Sequence, residues 1–225
     1  MRAMPSMDSQ SSVRWAGSMT VRTPSAAAAS KAGDGSLSPS TPACAEGATS
    51  PVAAAIGVRT VIDPAHRTDD WESVDGIARI AERMNRAAER ALEYGLTFGY
   101  HNHWWELEAR PGGTPALELL APRLDERIVL EVDTYWVEVG GVDVLGLLDR
   151  LGDRVRFLHV KDGPKTRDTK AQLPAGEGDM DVPAVLAAAP SAMRVLEFDD
   201  YEGDTVDGLV ASLAYVNTVD AEAGE

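Results

Sequence analysis

A chain of 225 residues with 44% hydrophobic content can bury the core of one sizeable α/β domain. Its formal net charge of −15 repels phosphate backbones and argues against a nucleic-acid partner, because that binding depends on Lys and Arg. One cysteine, Cys44, excludes an internal disulfide framework, and the absence of a long apolar run or signal-like start leads us to expect a cytoplasmic protein with no membrane partner.

Residues 1–50 are dominated by Ser, Ala, Pro, Thr and Gly, with no apolar period of 2 or 3.6. They read as a low-complexity, disordered leader, in which a short helix around Ala26–Ala32 would be marginal alone. Residues 51–225 read as one folded domain. IGVRTVIDPA predicts a buried strand stopped at Asp63-Pro64, since proline pushes the residue before it out of helical geometry. Trp71, Val74, Ile77, Ala81, Met84, Ala88 and Leu92 then recur at helical spacing, with Gly95 placed to end the helix. LTFGYHNH predicts a second strand, followed by a Pro111-Gly112-Gly113 loop and a helix near Ala116–Leu120. RIVLEVDTYW predicts a third strand, VDVLGLLDRLG a helix and VRFLHVKD a fourth strand. VPAVLAAA predicts a short helix, MRVLEFDD a fifth strand and TVDGLVASLAYV a closing helix. Strands alternating with helices in this way predict βα units and a parallel sheet.

Each of the last four strands ends in ionisable residues two positions apart: His101 and His103, Glu131 and Asp133, His159 and Lys161, Glu197 and Asp199. Side chains alternate along a strand, so each pair points to one face. The C-terminal ends of parallel strands are where α/β folds place their chemistry. Alone, His159 would read as a satisfied core histidine, and Glu197 with Asp199 as an acidic strand end. Repetition over four strands favours a divalent-metal or carboxylate site.

GYHNHWWELE, LEVDTYWVEVGG, VRFLHVKDGP, PAGEGDMDVPAVL and RVLEFDDYEGD, in this order, resemble the sugar phosphate isomerase/epimerase group of xylose-isomerase-like TIM barrels. The resemblance runs from about Ile56 to Val216. It implies a (β/α)₈ barrel with one divalent ion, Mn, Co, Mg or Zn, at the C-terminal mouth, and a small sugar or sugar phosphate as substrate. The implied reaction is proton abstraction next to a carbonyl, through an enediolate. Carried over by motif, the metal ligands fall on Glu106, Asp133, His159 and Glu197, with Glu106 and Glu197 as catalytic acid and base. Strand-end spacing independently favours the last three and does not choose Glu106 over His101 or His103. By resemblance His101 and His103 support the site or contact substrate, and Trp136 walls the pocket. Lys161 is a donor to a substrate hydroxyl or phosphate, and Glu177, in a Gly-Glu-Gly loop, helps cover the mouth.

A keto-inositol dehydratase-type lyase of the same superfamily is the enzymatic alternative, and a metal-binding remnant without turnover is the other. The related apurinic-site endonucleases need more histidines and a basic face; the chain has 4 His and is acidic. A complete barrel has eight strands, while the regular region supplies five βα units. The fold class is therefore α/β, an incomplete (β/α)₈ barrel. The missing strands point to a truncated or frame-disrupted enzyme, to a half-barrel completed by another copy or another protein, or to a remnant; the first is the favoured expectation.

Overall fold

The computed structural model describes residues 51–223; the leader, including Cys44 and the short helix expected around Ala26–Ala32, lies outside the described residues. The frame is a parallel five-stranded sheet in sequential order. Its strands are β1 (Thr60–Asp63), β2 (Thr97–His101), β3 (Val129–Asp133), β4 (Val155–Val160) and β5 (Met193–Leu196). All four neighbouring pairs are parallel, as the alternation predicts. The helices are α1 (Pro51–Ala55), α2 (Val74–Glu93), α3 (Trp105–Glu108), α4 (Ala116–Leu120), α5 (Thr134–Val139), α6 (Val144–Leu151), α7 (Val182–Ala188) and α8 (Thr205–Glu222). Sequential parallel strands with helical crossovers make this a curled part of a (β/α)₈ barrel.

Register divides the strands into two faces. Val61, Phe98, Tyr100, Leu130, Val132, Leu158 and Val160 enter the hydrophobic core shared with the helices. The alternate positions carry the chemistry, with His101 opposite Glu131 and Asp133 opposite His159. A strand whose residues alternate between a core and a polar site holds its ionisable side chains rigidly, because slipping one position would drive them into the core.

Helix α2 begins at Ser73, whose hydroxyl accepts the Gly76 amide, and ends before Gly95, which takes φ +70. Its buried face runs through Ile77, Ile80, Ala81, Met84, Ala87, Ala88 and Ala91. Val74 and Leu92, expected on that face, are 44% and 54% exposed. Trp71 belongs to a separate 3₁₀ turn, Asp69–Glu72, and is pinned by its indole N–H donating to His66 O at 2.9 Å.

The third strand is shorter than expected. Thr134-Tyr135-Trp136 continue β3 by β-propensity alone, yet they open α5, because the Asp133 carboxylate accepts the Trp136 amide at 3.0 Å as an N-cap. The open sheet shows its edge at β5, where Met193 is 43% exposed and the other three residues are half-buried.

Candidate metal centre

Four strand ends build one polar cluster. Asp133 closes β3, His159 lies in β4, and Lys161 and Glu197 follow the ends of β4 and β5. The His159 ring nitrogen Nδ1 lies 3.4 Å from Asp133 Oδ2 and 3.1 Å from Glu197 Oε2. Lys161 Nζ lies 2.9 Å from both of these carboxylates and 2.6 Å from Asp199 Oδ2. His101 Nδ1 is 3.1 Å from Glu131 Oε2, and its Nε2 is 3.9 Å from Asp133 Oδ2. His101, Glu131, Asp133, His159 and Lys161 are each at most 3% exposed, whereas the Glu197 side chain is 23% exposed. Cost of burial is high for charged groups unless they are paired, and here opposite charges interleave.

The environment sorts the two histidines. Burial pushes His101 down to about 4, against the pull of Glu131, so this imidazole is neutral near pH 7. Burial also works against protonation of His159, but the carboxylates of Asp133 and Glu197 bonded to it lift it to about 9. Burial acts to raise Asp133; the Lys161 ammonium and the His159 ring outweigh it and hold this carboxyl well below the usual range. Lys161 in turn is desolvated yet held above its ordinary value by Asp133, Asp199 and Glu197.

His101, Asp133 and His159 each offer a ligand atom, all within 4.8 Å of one another. Imidazole nitrogens with carboxylate oxygens, and no thiolate, suit a borderline or hard divalent ion. The donor set fits such an ion. Of the four ligands implied by resemblance, Asp133, His159 and Glu197 come together here. Glu106 is fully buried on α3: its Oε1 accepts the Tyr100 hydroxyl at 2.8 Å and its Oε2 the His103 amide at 3.0 Å. The link to the cluster is His103, whose Nδ1 is 3.7 Å from Glu106 Oε1 and whose ring meets the His101 ring edge-on at 5.1 Å. Trp136 is buried beside Lys161, its ring centroid 5.7 Å from Nζ. Glu177 is exposed in its loop, its backbone amide donating to Pro174 O at 3.0 Å.

Three supporting residues fall outside the strand-end pairs that the spacing picks out. Asn102 clips β2 to β3, its Oδ1 accepting the Asp133 amide at 3.0 Å and its Nδ2 donating to the Asp133 carbonyl at 3.3 Å. Gln172 pairs with Asp199 through both amide atoms, at 2.8 Å each. Asp162, fully buried, accepts the amides of Gly163, Gly176 and Met180 at 2.8, 2.8 and 3.0 Å. That carboxylate knits the Gly-Glu-Gly loop to the end of β4. A Cβ on Gly178 would lie 2.2 Å from Asp162 Oδ1, so this loop approaches closely enough to require glycine. At the rim, Trp104 is contacted by two guanidiniums, Arg167 with Cζ 3.6 Å from the ring centroid and Arg67 at 4.8 Å; Arg167 also pairs with Glu108.

The strand order, the strand-end cluster and the matching of residues 49–194 to the xylose isomerase-like TIM barrel model establish the class: the chain belongs to that family. Among individual proteins, it is 31% identical over 102 residues to an inosose dehydratase from Lacticaseibacillus casei, covering 44% of this chain and 31% of that protein. A sugar phosphate isomerase/epimerase from Parabacteroides distasonis ATCC 8503 superposes with a TM-score of 0.62 at 25% identity, over 75% of this chain and 59% of that one. The IOLI protein, solved with a zinc atom, shares the fold with a TM-score of 0.59 at 14% identity, over 79% of this chain and 68% of that one. The chain thus spans about a third of the length of the curated relative. Among the described residues no helix is long and apolar enough to cross a membrane.

Proposed function

We propose that this chain is a metal-dependent sugar or sugar phosphate isomerase/epimerase that moves a proton at a carbon next to a carbonyl, through an enediolate. The observation that carries the reading is the convergence of Asp133, His159, Glu197 and Lys161 from three successive strand ends into one buried polar cluster. Asp133, His159 and Glu197 would hold the cation, with His101 adjoining; by resemblance Glu106 is the fourth ligand. When bound, the ion supplies a Lewis acid for the substrate oxygens.

Glu197 is the proton acceptor in this reading. It is the ligand-set carboxylate with an accessible side chain, 23% exposed, with His159 Nδ1 at 3.1 Å and Lys161 Nζ at 2.9 Å from its Oε2. Glu106 returns the proton. Its two oxygens are oriented by Tyr100 and the His103 amide, and the His103 ring touches both Glu106 and His101. Lys161 donates to a substrate hydroxyl or phosphate, Trp136 excludes water beside it, and His101 and His103 orient the substrate. Glu177 covers the mouth on a loop whose base is fixed by Asp162.

Glu197→Gln keeps the shape and removes the base. It is expected to lower turnover by about 10²-fold or more, while far-UV circular dichroism stays the same; an unchanged rate refutes the assignment. The 31% identity to an inosose dehydratase favours a second reading, a lyase on a cyclic keto-polyol using the same proton abstraction. Product analysis separates the two, since a lyase releases water and an isomerase or epimerase conserves substrate mass. Cation binding with no turnover on either substrate class would mark a metal-binding remnant.

A further inference from the structure

Lys161 stands one residue beyond β4 with its side chain 1% exposed. An ammonium has three N–H donors, and three carboxylates surround this one: Asp133 and Glu197 at 2.9 Å and Asp199 at 2.6 Å. The three acceptors are not equivalent. Asp133 and Glu197 belong to the proposed cation-binding set; Asp199 does not, and it is locked in place by both amide atoms of the fully buried Gln172. A divalent cation and this ammonium therefore need the same two carboxylates, and both are positive. They cannot both bind Asp133 and Glu197 at full strength.

We propose that Lys161 is a built-in counter-ion that takes the place of the divalent cation on Asp133 and Glu197, and that the Gln172-anchored Asp199 retains its ammonium when those carboxylates pass to the metal. The inference rests on the metal-dependent reading above. It explains why these carboxylates are stable together before loading, since Asp133, Glu197 and Asp199 each have the ammonium in contact. It also gives Asp199 and Gln172 a positioning role: they decide where the ammonium goes. Loading the cation frees two of the three N–H donors of Lys161, which then face substrate oxygens. The same residue is thus a competitor of the metal and a donor to the substrate.

The test is Co²⁺ binding by titration calorimetry, with melting followed with and without Co²⁺, on the whole chain and three variants. Lys161→Met removes the competitor: Co²⁺ should bind about tenfold tighter, the effect of roughly 1.4 kcal/mol of charge coupling, while the metal-free protein melts lower and gains more on Co²⁺ addition. Gln172→Met changes no charge and releases Asp199, so Co²⁺ should bind about threefold weaker because the ammonium loses its alternative site. Lys165→Met removes an exposed lysine paired with Glu138 and should leave affinity as it was. Equal or weaker Co²⁺ binding by Lys161→Met overturns the proposal, as does equal tightening by Lys165→Met, which would reveal only the general field. Should Lys161→Met fail to fold even with Co²⁺, Gln172→Met decides, and unchanged affinity there overturns it. Absence of Co²⁺ binding by the unaltered chain overturns the metal-dependent reading itself, a result distinct from all of these.

Discussion

Replacing Asp162 with Ala should destabilise the fold by about 3–5 kcal/mol. The carboxylate is fully buried and accepts three backbone amides, from Gly163, Gly176 and Met180, at 2.8–3.0 Å. Hydrogen bonds to a charged group contribute roughly 1.5–3 kcal/mol each, and a stranded buried donor costs roughly 1–3 kcal/mol. Three such losses would sum to more than the expected value, but the loop carrying Gly176 can relax into water and recover part of it. Asp162→Asn keeps the oxygen that serves Gly163 and Met180 and turns an amide N–H₂ toward the Gly176 amide, so about 2 kcal/mol should be lost. Urea unfolding followed by tryptophan fluorescence reads both values from the shift in midpoint at constant slope. A loss below about 1 kcal/mol for Asp162→Ala would falsify the claim that this carboxylate fastens the Gly-Glu-Gly loop.

The metal-free protein should be most stable near pH 6.5 and lose stability on either side. His159, raised to about 9, stabilises fully below its unfolded value of about 6.5 and loses this as pH climbs to 9; His101, lowered to about 4, loses stability as pH falls from 6.5 toward 4. Melting temperature against pH checks this, and a monotonic profile contradicts it. Since a metal needs His159 without its proton, Co²⁺ affinity should rise up to about tenfold per pH unit between pH 7 and 9. Asn102→Ala strands the Asp133 amide and carbonyl, and should cost about 2–4 kcal/mol in urea unfolding. Tyr100→Phe removes the 2.8 Å bond to Glu106 and should cost about 1–3 kcal/mol. A Tyr100→Phe variant of unaltered stability would show that the hydroxyl is not needed to hold Glu106 in place.

The βα alternation is legible in the sequence because each strand is an unbroken apolar run and each helix a 3.6-residue period. So are the strand-end pairs: alternation puts Glu131 and Asp133, then His159 and Lys161, on one face, and the structure gathers them in one cluster. The boundary at Asp133 is not legible from propensity, since Thr-Tyr-Trp favours a strand and only the cap bond to the Trp136 amide turns it into a helix. On α2, large residues suggest a face through Val74 and Leu92, while the buried face is completed by Ala87 and Ala91, whose small size carries no strong apolar signal. The hydrogen bonds that orient Glu106, from the Tyr100 hydroxyl and the His103 amide, follow from the turn after β2 and from no spacing in the sequence. Gln172 and Asn102 each act through two hydrogen bonds to one residue, 27 and 31 positions away, and no local periodicity announces such a pairing.

The Arg67–Trp104–Arg167 stack joins the segments that follow β1, β2 and β4. Barrel enzymes are commonly retuned by exchanging one rim loop at a time, on the premise that loops vary independently of the scaffold. Here that premise fails for three of them. A transplanted loop after β4 that lacks Arg167 would leave Trp104 and Glu108 without their shared cation, so a new specificity would have to be introduced by exchanging the three segments as one cassette.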